Sequence, residues 1–216
     1  AYRDAEETVL LTSPRYAEPA DDWPPVTIGG FAIWDGPADM EIPPELHDYI
    51  DGGEPPVLVT LGTSAATDAG QRFARIRADL AGHGLRSIIL AGNDTNAAAL
   101  AGLPGVATFA PLTALLPRCR AAVVSGALGS VAATVSAGVP TVVHPQLWDQ
   151  YWHGRQLTQL GVGALARSVN QVAGRVESIL GDDIATAARS LSRSIAEEDG
   201  VGALVAAVER VLPQTN

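Results

Sequence analysis

Val57-Leu58-Val59-Thr60-Leu61-Gly62-Thr63-Ser64 is a short apolar run that ends in a glycine and two hydroxyl side chains. From Val57 onward such runs alternate with alanine-rich stretches of helical length, a pattern typical of β-α-β units that feed a parallel sheet. The predicted strands are Val57–Leu61, Ser87–Leu90, Val106–Phe109, Ala121–Val124, Thr141–Val143 and Gly163–Ala166. The sequence therefore predicts the α/β class, with a Rossmann-like, doubly wound parallel sheet over residues 55–216.

Helices are predicted between and after these strands. They cover Asp68–Ala81, Asn93–Ala101, Leu112–Leu116, Ser130–Ala137, Asp149–Leu160, Asn170–Ile179, Ile184–Glu197 and Val201–Val211. Glycines stand where helices commonly end, at positions 82, 84, 138 and 161. In an open sheet of this kind, ligands bind beyond the carboxyl ends of the strands.

Residues 1–54 differ from the rest in composition. Nine of the fifteen prolines lie at or before position 56, and this density excludes long helices and central strands. Thr8–Thr12 predicts one short buried strand, which needs neighbours to be stable. We interpret residues 1–54 as an extended connector anchored by Trp23 and Trp34.

Composition excludes several function classes. Apolar residues make up 47% of the chain and charged residues 18%, which indicates a globular protein. All 14 basic residues are arginines, so P-loop and Schiff-base lysine chemistry is excluded. The net charge of -10 disfavours nucleic acid as a partner, and the apolar runs are too short to span a membrane. A single cysteine, Cys119, excludes an intrachain disulfide, and we expect a cytoplasmic protein.

Three strand-to-loop junctions carry candidate binding groups. Thr63 and Ser64 follow the first strand and either cap the next helix or contact an anion. A second loop, from Ser125 to Ser130, leads into a helix whose free N–H groups favour a phosphate, although its small residues equally suit close packing. Its candidate residues are Ser125, Gly126, Gly129 and Ser130.

The third junction places Asp149 and Gln150 after the strand Thr141–Val143. Their acceptor and amide groups suit the hydroxyls of a sugar. The alternative is an Asp149 helix cap beside a solvated glutamine. Asp149, His144 and His153 could in principle form a metal cluster. We expect no metal site, because His144 leaves a strand whereas His153 lies on a helix, and no pattern of supporting residues is visible.

Taken in order, these junctions resemble the C-terminal half of GT-B glycosyltransferases, and most closely the bacterial enzymes of natural-product and antibiotic biosynthesis that use nucleotide-diphosphate sugars. The resemblance is carried by Pro56–Ser64, Phe109–Leu112, Leu115–Cys119, Gly126–Ser130, Ala137–Pro140 and Asp149-Gln150. It implies that residues 1–54 are the end of an N-terminal half and the interdomain connector, and that residues 55–216 are the donor-binding domain.

The resemblance also implies the role of each site residue. Phe109 matches an aromatic that stacks on the nucleotide base, against the alternative of a core aromatic at a strand end. Loop residues Gly126, Gly129 and Ser130 match the diphosphate-binding loop, and the Asp149-Gln150 pair matches the residues that hold the sugar. The full donor-binding set is Thr63, Ser64, Phe109, Leu112, Ser125, Gly126, Gly129, Ser130, Asp149 and Gln150. The implied donor is a TDP- or UDP-sugar, with no metal and no cofactor.

Two departures from the family pattern bear on function. Val124 stands where the family has a phosphate-contacting histidine, and Ala127 replaces a glycine. The implied catalytic base belongs to the absent N-terminal half, as does the pocket for a small hydrophobic acceptor. We therefore expect the donor half of an inverting glycosyltransferase that is inactive alone and forms a homodimer through exposed apolar surface. The alternative is a non-catalytic auxiliary protein with a degenerate donor site.

Overall fold

The computed structural model describes residues 5–34, 36–37, 39–62 and 69–212, except for the side chain of Trp148. Within these ranges the strands are β1 (Val9–Leu10), β2 (Thr27–Ile28), β3 (Val57–Thr60), β4 (Ser87–Leu90), β5 (Val106–Ala107), β6 (Ala121–Val124), β7 (Thr141–Val143) and β8 (Gly163–Leu165). The last six form one parallel sheet in the order β5-β4-β3-β6-β7-β8. The predicted α/β class and doubly wound parallel sheet are confirmed.

Helices cover both faces of this sheet. They are α1 (Pro44–Asp51), α2 (Ala69–Gly82), α3 (Asp94–Ala98), α4 (Leu112–Leu115), α5 (Leu128–Ser136), α6 (Trp148–Gln159), α7 (Val172–Ser178), α8 (Asp182–Ile195) and α9 (Gly200–Val211), with short 3-10 turns at Leu116–Arg118 and Val169–Gln171. Alternate strand residues enter two separate cores: Leu58 lies in one and Val57 and Val59 in the other. This burial on both faces explains why the strands are continuous apolar runs.

The connector is not extended throughout, contrary to the prediction. Residues 44–51 form α1, because Pro44 occupies the first helical position, where its missing N–H costs nothing. The predicted strand Thr8–Thr12 is reduced to β1, and its neighbour is β2 in the same segment, paired in parallel through Val9 with Thr27. Trp23 and Trp34 are both exposed, so they do not anchor the connector.

Tyr16 and His153 join the connector to α6. The phenol oxygen of Tyr16 lies 2.7 Å from Nδ1 of His153, and both side chains are buried. The rings stack with centroids 5.8 Å apart, while Phe31 and Trp152 pack against Tyr16. The connector therefore docks on α6 through an aromatic cluster in which Tyr16 and His153 are buried.

The turn between β6 and α5 depends on Gly126. Its φ of +94° lies in the left-handed region that side chains rarely adopt. A Cβ at this position would lie 2.6 Å from Cγ1 of Val143 and 3.1 Å from the carbonyl oxygen of Gln150. Gly129, two residues after the helix cap, would meet nothing within 4 Å. Gly126 thus lets the turn pack tightly against β7 and α6, whereas Gly129 faces open space.

We predict that Gly126→Ala lowers the free energy of unfolding by about 2 kcal/mol or more, because left-handed strain adds to the clash with Val143. Gly129→Ala is the matched control, and we expect it to raise stability by up to about 1 kcal/mol through better helix propensity. Urea unfolding of both variants measures the difference. Equal effects of the two substitutions would contradict this account of the turn.

Burial also predicts a pH dependence of stability. Desolvation lowers the pKa of His153, with a smaller opposing effect from Asp149, and desolvation likewise lowers the pKa of His144. In the unfolded chain, histidines titrate near pH 6.5. Below that pH the unfolded chain therefore binds more protons than the folded chain, whose buried histidines stay neutral. The free energy of unfolding should therefore be highest above about pH 6.5. It should fall as the pH drops below that value, by at most about 1.4 kcal/mol per pH unit for each histidine.

The variant His153→Gln removes one of the two titrating groups. Its unfolding free energy, measured in urea at pH 7.5 and pH 5.5, should change less with pH than that of the unaltered chain. An unchanged difference between the two pH values would show that His153 does not contribute.

Candidate functional site

A cleft of about 440 Å³ opens beyond the carboxyl ends of β3, β4 and β5. It is lined by Ala32, Ile33, Trp34, Thr60, Gly62, Leu90, Gly92, Thr108, Phe109, Ala110, Leu112, Gly129, Ser130 and Ala133. The sheet order reverses at β3, which has β4 on one side and β6 on the other, and α5 begins after β6. The cleft therefore lies where an open α/β sheet places its ligand.

Phe109 is on the surface of this cleft and not in the core. β5 ends at Ala107, and Phe109 follows in the loop with 47% of its side chain exposed. The loop is held in place because the N–H of Gly92 donates to the carbonyl of Thr108 at 2.9 Å. Leu112 opens α4 three residues later and lines the same cleft. The alternative interpretation of Phe109 as a core aromatic is wrong.

Gly129 and Ser130 bring the start of α5 to the cleft. The helix begins at Leu128, two residues earlier than predicted, so Ser130 lies in its first turn. The Ser130 hydroxyl donates to the carbonyl of Ala127 at 2.9 Å. The first N–H groups of a helix have no partner within it, and at this end of α5 they adjoin the cleft lining. An anion there would meet N–H donors and the positive end of the helix dipole.

Ser125 and Gly126 shape this turn without lining the cleft. Ser125 is buried, and its hydroxyl oxygen accepts the N–H of Ala127 at 3.5 Å. Val124, at the end of β6, is fully buried in the core. The predicted loop therefore divides in two, with Gly129 and Ser130 at the cleft and the preceding residues holding the turn.

Asp149 and Gln150 do not line the cleft either. Leu147, and not Asp149, occupies the cap position of α6, and Asp149 is exposed in the first turn. Gln150 is buried, and its Oε1 accepts the N–H groups of Gln146 at 2.7 Å and Leu147 at 3.0 Å. The glutamine is thus not solvated as in the alternative interpretation, because its carbonyl oxygen holds the start of α6.

Thr63 and Ser64, the remaining predicted site residues, lie outside the described residues. Sequence reasoning did not select the other lining residues, which are Ala32, Ile33, Trp34, Thr60, Gly62, Leu90, Gly92, Thr108, Ala110 and Ala133. Trp34 is the most notable of these, because its side chain is 83% exposed. The only sequence signal for Trp34 was its place in the connector between Gly30 and Gly36.

The described lining of the cleft is uncharged and holds no acid-base side chain. Across the described ranges, no three His, Cys, Asp or Glu side chains are grouped as metal ligands, and His144 instead bonds to the carbonyl of Ala166 at 3.0 Å. Burial raises the pKa of Cys119 to about 12, so its thiol is not an activated nucleophile.

None of the described helices is both long enough and apolar enough to cross a membrane.

Comparison with known proteins gives similarity to glycosyltransferases. The O-mycaminosyltylonolide 6-deoxyallosyltransferase of Streptomyces fradiae is 33% identical over 199 residues, which are 88% of this chain and 46% of that protein. The crystal structure of the glycosyltransferase SnogD from Streptomyces nogalater matches 93% of this chain and 56% of its own, with a TM-score of 0.72 and 26% identity. This chain thus spans about half the length of these relatives.

The spinosyn rhamnosyltransferase SpnG, solved in complex with thymidine diphosphate, shares the fold with a TM-score of 0.68 at 22% identity. It matches 94% of this chain and 56% of its own length. A family model described as the C-terminal domain of erythromycin biosynthesis protein CIII-like proteins matches residues 81–213, well over half of the chain. The chain therefore belongs to the EryCIII-like C-terminal domain family.

Proposed function

We propose that this chain is the donor-binding half of an inverting glycosyltransferase that transfers a sugar from a TDP- or UDP-sugar to a small hydrophobic natural product. The observation that carries the proposal is the meeting of Phe109, Leu112, Gly129 and Ser130 in one cleft at the carboxyl edge of the sheet. The family resemblance assigns all four residues to the donor site, and they come from two separate segments, one running from the end of β5 into α4 and the other at the start of α5.

Each part of the donor has a suitable group. The exposed ring of Phe109 offers a flat apolar face for the nucleotide base. The start of α5 offers N–H donors to the diphosphate, which makes a metal unnecessary for holding its charge. The thymidine diphosphate bound to SpnG supports the thymine nucleotide as a donor class. For the sugar, the resemblance assigns Asp149, which is exposed in the first turn of α6 outside the cleft lining, while the Oε1 of Gln150 orders the loop beside it.

In the proposed transfer, the sugar moves from the diphosphate of the donor to a hydroxyl of the acceptor. An acceptor hydroxyl oxygen bonds to the anomeric carbon while the bond from that carbon to the diphosphate oxygen breaks. The hydroxyl proton passes to a general base, and the N–H donors stabilise the charge that develops on the leaving diphosphate. Because the described cleft lining holds no acid-base side chain, the base and the acceptor pocket would come from the other half of the enzyme. We therefore propose that this chain transfers no sugar alone.

One observation favours the alternative of a non-catalytic auxiliary protein. Val124 occupies the position of the family's phosphate-contacting histidine, and its side chain is buried in the core and offers no hydrogen bond. Losing one donor to the developing charge costs about a hundredfold or more in rate in other enzymes. A chain that binds no nucleotide at all would fit this alternative.

Titration calorimetry with thymidine and uridine diphosphates tests the proposal. We expect saturable binding of at least one of them, unchanged by a chelator or by added magnesium. Phe109→Ala should weaken it about fivefold to a hundredfold, which is the usual effect of losing one aromatic stacked on a base. Leu103→Ala is the matched control, because Leu103 is an exposed apolar residue outside the cleft.

Two results would contradict the proposal. Absence of binding to both nucleotides at millimolar concentration would favour the auxiliary protein. Binding that Leu103→Ala weakens as much as Phe109→Ala would place the nucleotide outside the cleft.

A further inference from the structure

Trp34 is the most exposed of the large apolar side chains in the described part of the chain. It differs in this from Tyr16 and Phe31 of the same connector, which pack their rings together with centroids 5.6 Å apart. No ring in the described ranges packs on Trp34. An indole left in water forgoes a large hydrophobic gain, and a ligand that enters a concave cleft lined by the indole would recover part of it.

The indole lines the same cleft as Phe109, although 75 positions of sequence separate the two residues. Phe109 comes from the loop after β5, and Trp34 comes from the connector after β2. Two exposed aromatic side chains from separate parts of the chain therefore border one cavity, whose described lining is uncharged. Aromatic rings recognise a nucleobase by stacking, which requires no charge.

The connector is attached to the rest of the fold just before Trp34. Upstream, the N–H of Gly30 donates to the carbonyl of Thr12 at 3.0 Å, next to β1. Phe31 follows at once and packs its ring on buried Tyr16. The segment that carries Trp34 is thus fixed at its upstream end, which limits the positions open to the indole before a ligand arrives. Such preorganisation reduces the entropy that binding must overcome.

From this geometry we propose that Trp34 makes a second aromatic contact with the nucleotide base, in addition to Phe109. The inference rests on the proposed function, since it concerns the base of the same donor nucleotide. It adds a specific role for the connector, which then forms part of the donor site and does more than join two halves. Base binding would also fix the connector on the carboxyl edge of the sheet.

The test is titration calorimetry with thymidine diphosphate, with uridine diphosphate in a parallel titration. Trp34→Leu keeps an apolar side chain and removes the ring, and we expect binding about fivefold to a hundredfold weaker. Trp34→Phe keeps a ring and should bind within about threefold of the unaltered chain. Trp23→Leu is the matched control, because Trp23 is also an exposed connector tryptophan and does not line this cleft.

A fluorescence titration gives an independent readout. Stacking on a base quenches indole emission, so thymidine diphosphate should quench the unaltered chain more than Trp34→Phe. This comparison still decides the matter if Trp34→Leu fails to fold.

The possible failures are distinguishable. If Phe109→Ala weakens binding while Trp34→Leu does not, the second contact is wrong and the proposed function stands. If Trp34→Phe weakens binding as much as Trp34→Leu and shows unaltered quenching, stacking is not the role of Trp34. If the unaltered chain binds neither nucleotide, the proposed function and this inference both fail.

Discussion

The parallel register of β3 between β4 and β6 is the constraint on which the rest of the structure depends. Val59 pairs with Ile89 on one side and with Val123 on the other, so the three strands end level at one edge. Strands that run in parallel send every carboxyl-terminal loop to that edge. From β3 the chain adds β4 and β5 on one side, and from β6 it adds β7 and β8 on the other. The loops after β3 and β6 therefore diverge, and the space between them forms the cleft. The position of the site thus follows from hydrogen bonding in the sheet.

The charge of the chain determines how such a cleft binds an anion. A net charge of -10 repels a diphosphate at long range, and the described cleft lining holds no cation to offset it. Several arginines are engaged elsewhere: Arg86 with the carbonyl of Tyr49, Arg118 with Asp51 and Arg210 with Glu7. In the proposed function, binding therefore depends on short-range contacts, namely aromatic rings for the base and backbone N–H groups for the diphosphate.

Much of the fold was predictable because its signals are local. The core strands are buried on both faces and so read as apolar runs, and glycine 84, 138 and 161 mark the ends of helices with positive φ angles. α1 was missed because a proline excludes the interior of a helix but suits its first residue, and the sequence does not tell which position applies. β2 was missed because two residues carry no measurable periodicity.

The sequence predicted several residues of the site, but not the contacts that each side chain makes. Phe109, Gly129 and Ser130 were expected near the ligand and do line the cleft. The sequence did not reveal that the Gln150 carbonyl would bind the backbone of its own loop, since that bond depends on how α6 meets the turn. Trp34 was missed because its place in the cleft depends on the path of the connector, which the sequence does not reveal. A crystal structure of the chain grown with thymidine diphosphate tests the central claim most directly. The account predicts the base beside Phe109 and the diphosphate at the start of α5, whereas a nucleotide bound elsewhere, or an empty cleft at saturating concentration, would contradict it.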